Sequence, residues 1–127
     1  MEKRVYPRIA RQFSAVVENY EGVHLKVLAV DASCEGVCIQ CNTFERNLIT
    51  PGGSFVFNGK PVELFVWLEL PFEDGGAKKV GARCHVAFSR RISKDQCEIG
   101  MRYTEMDEGV YDTLINYVES GVASNDC

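Results

Sequence analysis

The sequence lacks any long apolar run. Its longest near-apolar stretch, Val62 to Phe72, is interrupted by Glu63 and Glu69, and a membrane-spanning helix needs roughly 20 apolar residues in succession. No membrane insertion is expected. Histidine is scarce, and neither His24 nor His85 stands beside a candidate nucleophile or at a zinc-like spacing from a cysteine pair. No glycine-rich loop opens a helix, and no nucleophile with its base and orienting group can be assembled. The expectation is a protein that catalyses nothing. The first residues, Met1-Glu2-Lys3-Arg4-Val5-Tyr6-Pro7, also lack the apolar segment of a secretory signal. A cytoplasmic location is therefore expected, where the six cysteines would remain reduced thiols acting as small hydrophobes.

At 127 residues the chain has room for one domain. Apolar residues make up 46% and charged residues 25% of it, enough to bury a core without staples. The net charge of −4 conceals an asymmetry: Lys3, Arg4, Arg8 and Arg11 face only Glu2 within the first eleven residues, and the body is acidic. An anion should thus bind near the N-terminus. A long polyanion prefers a broad basic face, because its affinity grows with the number of phosphates neutralised. Neither DNA nor RNA is expected as a partner, and a small ligand with few phosphates fits better.

Residues 13–20 and 23–31 are rich in β-branched and aromatic side chains and are joined by Glu21-Gly22, which reads as a hairpin. Further strands are expected at 36–41, 62–70, 78–89 and 96–104. Between them, 42–61 reads as a loop with a short strand at 54–57, since Pro51-Gly52-Gly53 and Asn58-Gly59 are turn signals. Near the end the period changes: Val110, Leu114 and Val118 recur every four residues, predicting a helix capped by Asp107 and stopped by Gly121. The fold class expected is mainly β: a six-stranded antiparallel β-barrel over 13–127 with a C-terminal α-helix. It is preceded by a flexible basic arm over 1–12.

Two motifs carry chemistry. Arg4-Val5-Tyr6-Pro7-Arg8 sets two guanidinium forks four residues apart on a segment that Pro7 biases away from helix. Such forks bind phosphate bidentately and read the O6/N7 edge of guanine. Asp31-Ala32-Ser33-Cys34-Glu35-Gly36 lies at a strand junction. There a carboxylate can accept from guanine N1 and N2, a hydroxyl can bond base or phosphate, and a glycine can take a backbone conformation closed to other residues. Each motif also has an ordinary reading, as a solvated basic tail and as a Ser/Asx turn.

An RxxxR arm, 22 intervening residues and then DxSxxG resembles the signature of the PilZ family, bacterial receptors for cyclic di-GMP. The resemblance extends over nearly the whole chain, through Leu70-Pro71 to the strand Glu98-Ile99-Gly100-Met101-Arg102-Tyr103 before the helix. It implies a cyclic di-GMP-binding receptor or adaptor in bacterial signalling, with an unidentified protein partner and roles such as motility or biofilm control. Arg4 and Arg8 match the family's arm arginines, and Asp31, Ser33 and Gly36 match its second motif. Lys3 stands where many members have a further arginine, keeping the charge but not the planar fork. One or two ligand molecules per protomer remain open.

Other readings stand beside this one. The same fold could serve as an interaction module in type IV pilus or flagellar assembly that does not use the ligand. An oligonucleotide-binding barrel would need a basic groove with exposed aromatics, which the acidic body disfavours. Cys34, Cys38 and Cys41 have the CxxxCxxC spacing of an iron–sulfur site. On a strand, however, Cys38 and Cys41 point to opposite faces. Trp67 is assigned to the core or the barrel surface rather than to a base-stacking role.

Overall fold

The computed structural model describes residues 12–54, 56–71 and 76–125. All but Gln12 of the expected basic arm therefore lies outside the described residues. Ten elements follow in order: β1 (Phe13–Glu18), β2 (His24–Ala32), β3 (Gly36–Cys41), α1 (Thr43–Ile49), β4 (Val56–Phe57), β5 (Lys60–Pro61), β6 (Glu63–Pro71), β7 (Ala77–Ser93), β8 (Gln96–Glu105) and α2 (Glu108–Asn125). A single turn of 3₁₀ helix at Pro51–Gly53 follows α1.

Six strands close a barrel in the order β1-β2-β3-β8-β7-β6, with every neighbouring pair antiparallel. Period-2 alternation builds it. Phe13, Ala15 and Val17 of β1 point inward beside Leu64, Val66, Leu68 and Leu70 of β6, and Ile39 and Ile99 meet them from β3 and β8. The β1–β2 turn is held by Asn19, whose side-chain oxygen Oδ1 accepts from the amides of Glu21 and Val23 at 2.9 Å each. Gly22 supplies the left-handed φ of 83° that this turn needs.

The two helices sit at opposite ends of the barrel. At the end holding the β1–β2 turn, the Asn19 side-chain amide donates to the Leu48 carbonyl of α1 at 2.8 Å, and Ile49 is fully buried. At the other end, α2 lays Leu114, Tyr117 and Val118 on the core, with Tyr117 edge-on to Phe13 at 5.9 Å between ring centres. Since β1 begins where β2 finishes, the β2–β3 turn lies at the α2 end.

Two expectations are corrected. The segment after Asn42, expected as loop, begins with α1, and its start was written in the chain as a capping box. The Asn42 side chain accepts from the Glu45 amide at 2.7 Å, and the Glu45 carboxylate accepts from the Asn42 amide at 2.9 Å. The short strand within 54–57 is real but pairs with Lys60–Pro61 as a separate hairpin. Gly121 does not stop α2, which continues to Asn125. One glycine inside a helix costs only about 1 kcal/mol, too little to end it.

Candidate ligand-binding site

The junction of β2 and β3 is a tight, internally bonded turn. The Ser33 amide donates to the Gly36 carbonyl at 2.9 Å, and the Ser33 hydroxyl oxygen accepts from the amides of Glu35 and Gly36 at 3.1 and 3.3 Å. Ser33 is 1% exposed, so this hydroxyl shapes the turn and keeps only its own proton for another acceptor. Further bonds fasten the turn to β8. The Glu35 carbonyl accepts from the Tyr103 amide at 3.0 Å, and the Glu35 carboxylate pairs with Arg102 at 3.0 Å.

Beside this turn, on the outer face of the barrel, lies a groove of about 430 Å³ whose walls include Asp31, Phe88, Arg90, Glu98 and Arg102. Two bulges aim its side chains. A register shift between Ala29 and Asp31 on β2 leaves Asp31 half-buried at the groove wall. On β7 the partners step from Val86↔Met101 to Phe88↔Gly100, making Ala87 the extra residue. Val86 faces the core, and after the bulge Phe88 and Arg90 face outward. The Arg90 guanidinium donates twice to the same Glu98 oxygen, at 2.8 and 3.2 Å. Those bonds, with the Glu98 charge and a smaller contribution from Asp31, push its pKa above the ordinary arginine value. The groove thus brings charges of both signs and an aromatic ring together.

A scan against protein-family models matches the PilZ domain over residues 2–120. The chain belongs to the PilZ domain family. A comparison with curated proteins gives no match. Among solved structures, the chain is similar to the PilZ domain of YcgR from Escherichia coli, solved with c-di-GMP, at TM-score 0.62 and 10% identity. It covers 98% of this chain and 95% of that one. It is also similar to the Bacillus subtilis inhibitor of motility MotI/DgrA (TM-score 0.69, 15% identity, covering 94% of this chain) and spans 50% of that protein's length. The K. pneumonia MrkH–c-di-GMP complex matches at TM-score 0.68 and 13% identity, over 99% of this chain and 55% of that one.

Of the residues expected to hold a ligand, Asp31, Ser33 and Gly36 come together at one end of this PilZ barrel. Lys3, Arg4 and Arg8 lie outside the described residues. Gly36 does not have the special backbone conformation expected of it: among the described residues the positive-φ glycines are Gly22, Gly52, Gly53 and Gly59. A Cβ on Gly36 would instead fall on the Met101 carbonyl, well inside the 3.0 Å that real Cβ atoms essentially never breach. Glycine is there because β8 passes so close.

Phe88, Arg90 and Arg102 were not singled out from the sequence. Strict alternation along β7 puts Phe88 in the core with Val80, Ala82, Cys84 and Val86, and only the bulge reverses it. Trp67 sits on the outer surface between Phe65 and His24, at 4.7 and 5.4 Å between ring centres, and does not line the groove beside Asp31. Cys41 joins the core, where burial pushes its thiol up to about 12, whereas Cys38 lines the outer groove. Opposite faces of one strand separate them. Among the described residues no group of three or more His, Cys, Asp or Glu side chains could hold a metal ion. No described helix is long and apolar enough to cross a membrane.

Proposed function

We propose that this PilZ domain is a cytoplasmic receptor for cyclic di-GMP that passes the binding event to a protein partner and performs no chemistry itself. The observation that carries the reading is the Asp31–Gly36 turn, bonded into one shape and opening onto a polar groove on the barrel's outer face. Asp31 supplies the acceptor for guanine N1 and N2, and the turn forms the floor. Arg4 and Arg8 of the arm would close over the ligand, offsetting the entropy of ordering with charge-assisted bonds to phosphate and guanine.

The position of α2 supports coupling to a partner. Cys34 and Glu35 of the turn share a surface cleft of about 340 Å³ with Met106 and Tyr111, at the start of α2. An arm that folds onto the turn changes the surface beside that helix, and the ligand's unequal contacts with the two arm positions drive the shift. Calorimetric titration with cyclic di-GMP tests the reading. The expected dissociation constant is micromolar or tighter, about −8 kcal/mol or better. Saturating ligand with neither heat nor a thermal shift rejects it.

A further inference from the structure

We propose that the barrel end holding the β1–β2 turn is a docking surface for a basic, proline-containing segment of a partner protein, lying extended across two adjoining clefts. The clefts share Tyr20 and Glu63. The smaller, of about 160 Å³, is walled by Tyr20, Pro51, Phe57 and Pro61, and the larger, of about 390 Å³, by Glu18, Phe65 and Arg83. Both rings of the smaller cleft stand on tight turns. Asn19 and Gly22 shape the β1–β2 turn that carries Tyr20. Asn58 and Gly59, with φ of 55° and 78°, turn the β4–β5 hairpin that carries Phe57. The two rings meet at 5.4 Å between centres, yet Tyr20 stays 52% and Phe57 44% exposed.

Single exposed aromatics need no explanation, but rings held together on turns beside a charged cleft have the make-up of an interaction site. A cleft of about 160 Å³ is smaller than small-molecule sites, which run to roughly 300–1,000 Å³, and takes one side chain. Proline suits it, because its ring packs on aromatic faces and a polyproline helix loses little entropy on binding. Strand addition, the other way to hold an extended peptide, has little to build on: the barrel is closed and the β4–β5 ladder is two residues long. Charge then selects the flanking residue. Glu18 and Glu63 line the larger cleft, Glu21 follows Tyr20 in the turn, and the lining cation Arg83 already leans on Glu105 at 3.5 Å. A partner Lys or Arg meets carboxylates there, together with the rings of Tyr20 and Phe65. Lys60 lines the smaller cleft and directs that cation to the larger one.

The β2–β3 turn lies at the other end of the barrel, so nothing here depends on cyclic di-GMP and the test is run without it. A phage library of random peptides is selected on the parent chain. The leading peptide is then synthesised and titrated by calorimetry into the parent, Phe57→Ser and Glu63→Lys, with melting temperatures recorded alongside. Selected sequences should join proline to Lys or Arg. Affinity should fall roughly 10- to 100-fold in Phe57→Ser, which removes a ring from the proline cleft, and roughly 5- to 20-fold in Glu63→Lys, which reverses a charge facing the partner's cation. No enriched sequence, an acidic or proline-free one, or a peptide that binds Glu63→Lys within twofold of the parent overturns the proposal. Should Phe57→Ser melt lower than the parent, Glu63→Lys decides, since it leaves both rings in place. Sedimentation of the parent examines the other occupant: a dimer that Glu63→Lys disperses assigns the surface to a second copy and overturns the proposal. A parent that binds the peptide and no cyclic di-GMP removes the receptor reading alone.

Discussion

Gly36→Ala isolates the close passage of β3 under β8. The added methyl group would press on the Met101 carbonyl oxygen, with the Met101 carbonyl carbon at 3.1 Å and the Arg102 Cα at 3.2 Å behind it. All three atoms belong to the backbone of β8, so no side chain can rotate away. The strands must part, straining the Gly36↔Arg102 and Val37↔Met101 pairs. Overpacking of this kind costs about 1–3 kcal/mol, and a weakened ladder hydrogen bond adds about 1 kcal/mol. For a domain of this size the melting temperature should fall by roughly 5–20 °C. Gly59→Ala is the control. Gly59 has a φ of 78° but open space around it, so alanine there meets only backbone strain of about 1 kcal/mol. Thermal and urea denaturation of both variants measures the difference. If Gly36→Ala melts no lower than Gly59→Ala, close approach is not the reason for this glycine.

Arg8→Ala should weaken cyclic di-GMP by roughly 2–4 kcal/mol in calorimetry while shifting stability by no more than about 0.5 kcal/mol, since it strips a charged partner from the ligand. Parent-like affinity would show that the arm has been wrongly assigned. Ser33→Ala removes the acceptor for the Glu35 and Gly36 amides, and should cost about 1–3 kcal/mol of unfolding free energy in urea as well as binding. A loss of affinity at unchanged stability would mean instead that the hydroxyl acts mainly on the ligand. Burial raises the Cys41 and Cys84 thiols from 9.0 to about 12. Their neutral forms therefore contribute stability that is whole below pH 9 and is lost as pH rises through the folded values. At pH 8, iodoacetamide followed by mass spectrometry should label half-exposed Cys34 in the native protein and Cys41 and Cys84 only after unfolding.

The sequence by itself determined the barrel. Alternation in 13–18, 24–29 and 36–41 sends one set of side chains inward whatever their partners, and the i, i+4 stripe of Val110, Leu114 and Val118 marks α2 just as locally. It also marked the Asp31–Gly36 turn, because Ser and Gly at a strand junction act within a few residues of themselves. The capping box Asn42-x-x-Glu45 was equally local, though the turn signals on either side of it suggested a loop. What only the tertiary structure decided is which residues from distant strands share the site. The reason for Gly36 lies in Met101, brought over it by the β3–β8 pairing. Phe88 and Arg90 line the same groove as Asp31 because one extra residue in β7, Ala87, reverses the facing of the residues just beyond it. A bulge is set by how two strands fit across a closing barrel, and neither strand's own alternation records it.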